Sequence, residues 1–205
     1  MTESSCSSDS ARIRAGTKRK LSEVVPCSPS DFVLSTFVEN GFKLAQNPSE
    51  LERRLPFLEV SQEMIDGYKL ETIRHVRCND LESLRKVHKD GGVLQCCNRF
   101  GESLIHMACR RGLTDMVRFL VEEADVSLLV RDDYGRTPLH DAFWTPEPNF
   151  ELAEFIISQV PEFLCVKDVR GHTPLSYIRK EHFRSWQIFM EERKESLRFK
   201  IARTE

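Results

Sequence analysis

The stretch Asp132-Asp133-Tyr134-Gly135-Arg136-Thr137-Pro138-Leu139-His140-Asp141-Ala142 decides the fold. Asp132 and Gly135, three residues apart, make a tight turn in which the glycine is free to take a positive φ. Thr137 suits an N-cap, and Pro138 fits the first helical position, where its missing N–H costs nothing. Leu139 and Ala142 then fall three apart on one helical face, and the small alanine lets another helix approach. A turn running straight into such a helix cannot bury its apolar face alone. It needs another apolar surface stacked against it, and further copies of the same stretch would supply one.

Two copies flank it. Asn98-Arg99-Phe100-Gly101-Glu102-Ser103-Leu104-Ile105-His106-Met107-Ala108 precedes it, and Asp168-Val169-Arg170-Gly171-His172-Thr173-Pro174-Leu175-Ser176-Tyr177-Ile178 follows. Their turn glycines, Gly101, Gly135 and Gly171, recur at a nearly constant interval. The middle copy carries T-P-L-H-x-A in full. The first has Ser103-Leu104-Ile105 in place of Thr-Pro-Leu, and the third loses the histidine and the alanine. The pattern resembles the ankyrin repeat, with its period of roughly 33 residues and T-P-L-H-x-A at the start of the first helix. The resemblance implies an all-α solenoid of stacked antiparallel helix pairs. Second helices follow the same register: Thr114 to Glu123 should turn Met116, Val117, Phe119, Leu120 and Val121 inward, and Leu152, Ala153, Phe155, Ile156 and Ile157 should do so in the next copy.

Outward from these copies, Asn79 lies one period before Gly112, which starts the matching element one unit later. A first unit is therefore expected, with Leu70, Ile73 and Val76 on its first helix and Asn79 to Gly92 forming its second. Beyond the last copy, Arg179, Lys180 and Glu181 replace the small core residues and Glu191 to Lys194 are charged, as in a repeat that closes a stack. The expected repeat domain covers 67–195, in units of about 67–97, 98–131, 132–167 and 168–195, followed by a charged tail at 196–205.

Ahead of the repeats, residues 31–66 read as short helices forming an N-terminal cap. Asp31 is the expected cap of the first, with Gly41 near its end. Ser49 and Glu52 form a capping box opening a second that Pro56 should stop, and Ser61 caps a third. Phe32, Phe37, Phe42 and Phe57 should pack on the unit at Tyr68 to Val87. Residues 1–30 are Ser-rich with no aromatics, and read as a disordered tail carrying a basic cluster of Arg12, Arg14, Lys18, Arg19 and Lys20.

Composition bounds the function. Among 205 residues, 30 Lys+Arg against 32 Asp+Glu give a net charge of -2, which argues against a chain built to coat nucleic acid or anionic lipid. No apolar run approaches the roughly 20 residues needed to cross a bilayer. Seven cysteines without regular spacing or C-x-x-C suit a reducing compartment, and the N-terminal stretch, without an apolar run, is not expected to be a secretory leader, so an intracellular protein in cytoplasm or nucleus is expected.

No phosphate loop, nucleophile elbow or H-E-x-x-H occurs. Cys109 lies three residues after His106, but nucleophilic catalysis needs a third orienting group, and the position matches a small buried residue of the repeat. His106 and His140 recur one period apart. Without thiolate or carboxylate partners at ligand spacing they make a poor metal site, and the resemblance implies a structural role tying adjacent turns. No enzyme, cofactor or metal is expected.

What remains is surface. The resemblance implies partner binding by the turn tips and the solvent side of the first helices. The tips are Arg99, Phe100 and Glu102; Asp133, Tyr134 and Arg136; Val169, Arg170 and His172. The exposed helix ends are Arg110, Arg111, Trp144 and Thr145. Trp144 either meets a partner or folds under the insertion Thr145-Pro146-Glu147-Pro148. Stacking should set Arg110 and Arg111 beside it, an arrangement suited to an acidic segment with an apolar anchor. The expected function is non-catalytic protein recognition by a monomeric adaptor or scaffold. The alternative is a nuclear regulator whose basic tail touches nucleic acid while the repeats hold a protein.

Overall fold

The computed structural model describes Ser28, Asp31 and residues 55–202, with side chains to residue 193. The expected disorder of 1–30, the helices and phenylalanines of 32–54 and the side chains of the C-terminal tail lie outside the described residues. At Ser28 and Asp31 the cap is reversed from expectation. Asp31 is itself helical, and Ser28 Oγ accepts from its N–H at 3.1 Å while donating to its Oδ2 at 2.7 Å.

The described chain is helical. In order come α1 (Gln62–Gly67), α2 (Leu70–Arg77), α3 (Leu81–Lys89), α4 (Leu104–Arg110), α5 (Thr114–Arg118), α6 (Pro138–Phe143), α7 (Phe150–Gln159) and α8 (Phe183–Ala202). Ser61 caps α1 and Asp80 caps α3, each side chain accepting from the N–H three residues on. Past Arg118, α5 loosens into a π-helical turn, Phe119–Glu123, closed by Ala124 N–H on Phe119 O at 3.0 Å. Three 3₁₀ turns, Pro161–Cys165, Pro174–Tyr177 and Lys180–His182, lead into α8.

The pairs α2/α3, α4/α5 and α6/α7 are the three units, and one apolar core runs through all of them. Leu84, Leu104, Ile105, Met116, Leu120, Leu139, Leu152 and Ile156 are sealed from solvent. Each such aliphatic side chain contributes about 1.5–3 kcal/mol by its burial. Ala108 and Ala142, also fully buried, keep the first helices close to their neighbours. The inward set expected for α7 is buried throughout, whereas Val121 is only half-buried and Leu70 faces solvent.

The fourth unit departs from the repeat. Ser176-Tyr177-Ile178 stand where His140-Asp141-Ala142 stand one unit earlier, and a 3₁₀ turn replaces the first helix. The stack is closed by aromatic packing as well as charge. Trp186 of α8 is buried, with its ring centroid 4.6 Å from Phe143 and 4.8 Å from Phe150, and Phe189 stacks on Phe150 at 5.2 Å. Glu191 and Glu192 face outward, as the charge pattern requires.

Phe57 does not pack on the Tyr68 to Val87 unit. Residues 55–60 run across the stack the other way: Phe57 stacks on Phe163 with centroids 6.1 Å apart, the Arg131 guanidinium sits 3.7 Å from the centroid of the Phe57 ring, and Leu58 N–H donates to Leu129 O at 2.8 Å. The chain then reaches the first unit, where Cys97 N–H donates to Met64 O at 3.1 Å. Phe163 and Leu129 offered apolar surface that a segment ahead of the repeats could reach only by crossing two units.

Candidate functional site: the turn tips and first-helix surface

Each tip is built by one acidic or amide side chain. Asn98, Asp132 and Asp168 accept through Oδ1 from the N–H groups two and four residues on, at 2.8–3.1 Å. Gly101, Gly135 and Gly171 close the turns onto the carbonyls of those same residues at 2.9 Å. At Gly101 the backbone needs φ +74°, and a Cβ there would lie 2.6 Å from Arg131 O, so glycine is required twice over. Neighbouring tips are joined: Asp133 N–H donates to Phe100 O at 2.8 Å, and Val169 N–H to Tyr134 O at 2.9 Å.

Behind the tips sit the two histidines. Thr137 N–H donates to His140 Nδ1 at 3.0 Å, which makes Nδ1 an acceptor and leaves the proton on Nε2. Nε2 then donates to His172 O of the next unit at 3.2 Å. His106 repeats the arrangement, with Ser103 N–H 3.3 Å from Nδ1 and Arg136 O 3.0 Å from Nε2. Both nitrogens of each ring are occupied, so the histidines tie adjacent turns. Burial holds His106 below its ordinary value and pulls His140 down to about 4. The Cys109 thiol is pushed well above its ordinary value by burial, and His106, three residues before it, has no nitrogen left to act as its base.

On the outer surface, Arg99, Phe100, Asp133, Tyr134, Val169, Arg170 and His172 are exposed, with Glu102 and Arg136 half-buried. Phe100 is 48 % and Tyr134 53 % exposed, and each ring carries a guanidinium, Arg99 at 4.7 Å and Arg136 at 5.2 Å. Trp144 is 51 % exposed and therefore does not fold under the insertion. Its ring leans on Tyr177, centroids 5.3 Å apart, and the Tyr177 hydroxyl donates to Asp168 Oδ2 at 2.6 Å while accepting from Arg170 at 2.9 Å.

Thr145, expected on the exposed helix end, is buried: its hydroxyl donates to Glu147 O at 2.7 Å and closes the insertion. The two arginines expected beside Trp144 are engaged elsewhere. Arg110 forks onto Asp141, both bonds 3.1 Å, and reaches Glu102 at 2.8 Å, tying two units together. Arg111 turns back to the first unit and donates to Arg77 O at 2.9 Å. Arg111 meets the equivalent helix end one unit earlier, whereas Arg110 reaches about one turn back along α6, to Asp141 instead of Trp144.

Sequence reasoning did not single out Asp141, Tyr177, Tyr68 or Arg77. Arg77 and Arg111 are one period apart and so share a register, a signal that was available. Those two, with Tyr68, Ile73, Asn98, Glu102, Met107 and Arg110, line a cavity of about 290 Å³ between the first and second units.

Helix pairs stacked in register, joined by glycine turns and cross-tied by imidazoles, define a helical repeat solenoid. Residues 73–163 match the family model for ankyrin repeats (3 copies), and the chain carries ankyrin repeats. A Caenorhabditis elegans protein named "Putative glutaminase 2" is similar to this chain, 33 % identical over 75 residues. That stretch covers 36 % of this chain and 12 % of the nematode protein, so the chain spans about an eighth of the relative it matches. Ankyrin repeats are a protein-interaction fold. Among the described residues, no helix is long and apolar enough to cross a membrane.

Proposed function

We propose that the protein is a non-catalytic, intracellular adaptor or scaffold, acting as a monomer, that binds a protein partner through its turn tips and the outer side of its first helices. One observation carries this reading. Phe100, Tyr134 and Trp144 hold half or nearly half of their surface in solvent, yet each ring already has a partner: Arg99 over Phe100, Arg136 over Tyr134 and Tyr177 against Trp144. Exposed aromatics with little freedom left to lose are what an interface needs, since ordering side chains on binding costs about 0.5–1.5 kcal/mol each. Thr145 takes no part, being buried, and Arg110 acts by holding the units in place.

Trp144→Ala tests it. The variant should melt within about 1 kcal/mol of the parent, because half of the ring is already in water. It should bind a partner captured by the full chain more weakly by about 2 kcal/mol, some thirtyfold in Kd. Unchanged binding with an unchanged melting curve would remove the anchor from this surface.

A further inference from the structure

The cavity between the first two units differs in chemistry from the aromatic surface around Trp144. Its apolar floor is Ile73 and Met107. One carboxylate, Glu102, lines it, and that charge is already met by Arg110 at 2.8 Å, with Asn98 donating to its other oxygen at 3.2 Å. The cations at the rim are not met. Arg77 and Arg111 are exposed and form no ion pair among the described residues; the one hydrogen bond between these residues runs from the Arg111 guanidinium to a carbonyl, so it leaves both charges unbalanced. Burial, with Glu102 adding, pushes the Tyr68 phenol up to about 12, so at neutral pH it stays a neutral donor. At about 290 Å³ the space is at the small end for enclosing a whole ligand, and of a size for one side chain.

We propose that this cavity receives the carboxylate of an aspartate or glutamate from an acidic segment of a protein partner, its charge met by Arg77 and Arg111 and its methylenes resting on Ile73 and Met107. The proposal rests on the reading that the repeats bind protein, and names the chemistry of one part of that contact. Two guanidiniums from successive units, set over an apolar floor, discriminate an acidic side chain from an amide of the same shape. The amide brings no charge to offset the cost of covering them.

The test is a titration of the full chain with a fluorescent hexaglutamate peptide, with hexaglutamine as control and inorganic phosphate as competitor. Hexaglutamate should bind at least tenfold more tightly than hexaglutamine and weaken steadily with added salt. Arg77→Ala with Arg111→Ala should reduce hexaglutamate binding at least tenfold, while Arg77→Lys with Arg111→Lys keeps part of it. Both arginines are exposed, so folding should survive, and a melting curve checks this. Lys180→Ala, which removes an exposed cation in the fourth unit, should bind as the parent does. Equal binding of the two peptides, or a double alanine variant that folds and binds like the parent, would overturn the proposal. So would millimolar phosphate displacing the peptide completely, since the cavity would then be a phosphate site. If hexaglutamate fails but capture of a partner still depends on Trp144, only the carboxylate pocket is lost and the interaction reading stands.

Discussion

At the residue scale, His140 shows how the repeat turns a titratable group into a structural one. Its imidazole must be neutral to accept from Thr137 and donate to His172 O, and burial pulls it down to about 4. In the unfolded chain the same ring titrates near 6.5. As pH falls through 6.5 the unfolded state therefore takes up a proton that the folded state refuses. Stability contributed by the neutral ring is present above pH 6.5, is lost progressively down to about 4, and changes no further below it, a total on the order of 3 kcal/mol. His140→Gln should melt lower than the parent at pH 7, yet lose less between pH 7 and 4.5. Parallel melting curves for the two proteins over that range would show that His140 does not couple folding to pH. The identity and role of this histidine were legible in T-P-L-H. The fate of Arg110 was not, because its partner Asp141 lies in the next unit and opposite charges occur all along the chain. The two tryptophans divide in the same way: the resemblance to the ankyrin repeat implied an exposed end for Trp144, with burial under the insertion as the alternative, but nothing periodic marked Trp186 as the side chain that fills the last gap in the core.

At the scale of elements, the turn decides where each helix begins, and glycine decides the turn. Gly101 and Gly91 both have positive φ, +74° and +79°, so alanine would be strained at either. They differ in their surroundings. A Cβ on Gly101 would lie 2.6 Å from the backbone of the next unit, whereas one on Gly91 would meet nothing within 4 Å. Gly91→Ala should cost about 1 kcal/mol, and Gly101→Ala clearly more, about 2–3 kcal/mol. Chemical denaturation of the two variants separates strain from collision, and equal losses would mean that the neighbouring turn yields freely. The sequence period located these turns to the residue because the glycines recur with it. It did not reveal the π-helical turn after α5 or the 3₁₀ turn that replaces the fourth unit's first helix. Neither has a counterpart in another copy from which it could be read.

At the scale of the whole molecule, ion pairs step along the outer helices from unit to unit: Arg85 to Glu123 at 2.7 Å, Arg118 to Glu151 at 3.5 Å, Arg193 to Glu154 at 2.9 Å. Exposed pairs of this kind contribute little, about 0–1 kcal/mol each. The continuous core and the crossing segment at 55–60 hold more. Phe57→Ala removes a ring that contacts both Phe163 and Arg131, and should destabilise by about 1–2 kcal/mol, seen as a lower melting temperature. No change in melting would mean that the segment rides on the stack without supporting it. Its position was illegible beforehand because a lone phenylalanine carries no address. The apolar surface it covers is contributed jointly by the second and third units, so no single copy marks it.

The crossing segment also alters how the repeats would bear load. In a plain stack each unit touches only its neighbours, and tension between the two ends passes through every turn in series. Here the contact of Phe57 with Phe163 closes a loop that contains all three regular units. Tension entering at residue 55 and leaving through α8 is shared between the stacked units and the shorter path from Phe57 to Phe163 and on through the fourth unit. The glycine turns and imidazole ties of the earlier units then carry only part of the load until the contacts of residues 55–60 with Phe163, Arg131 and Leu129 open.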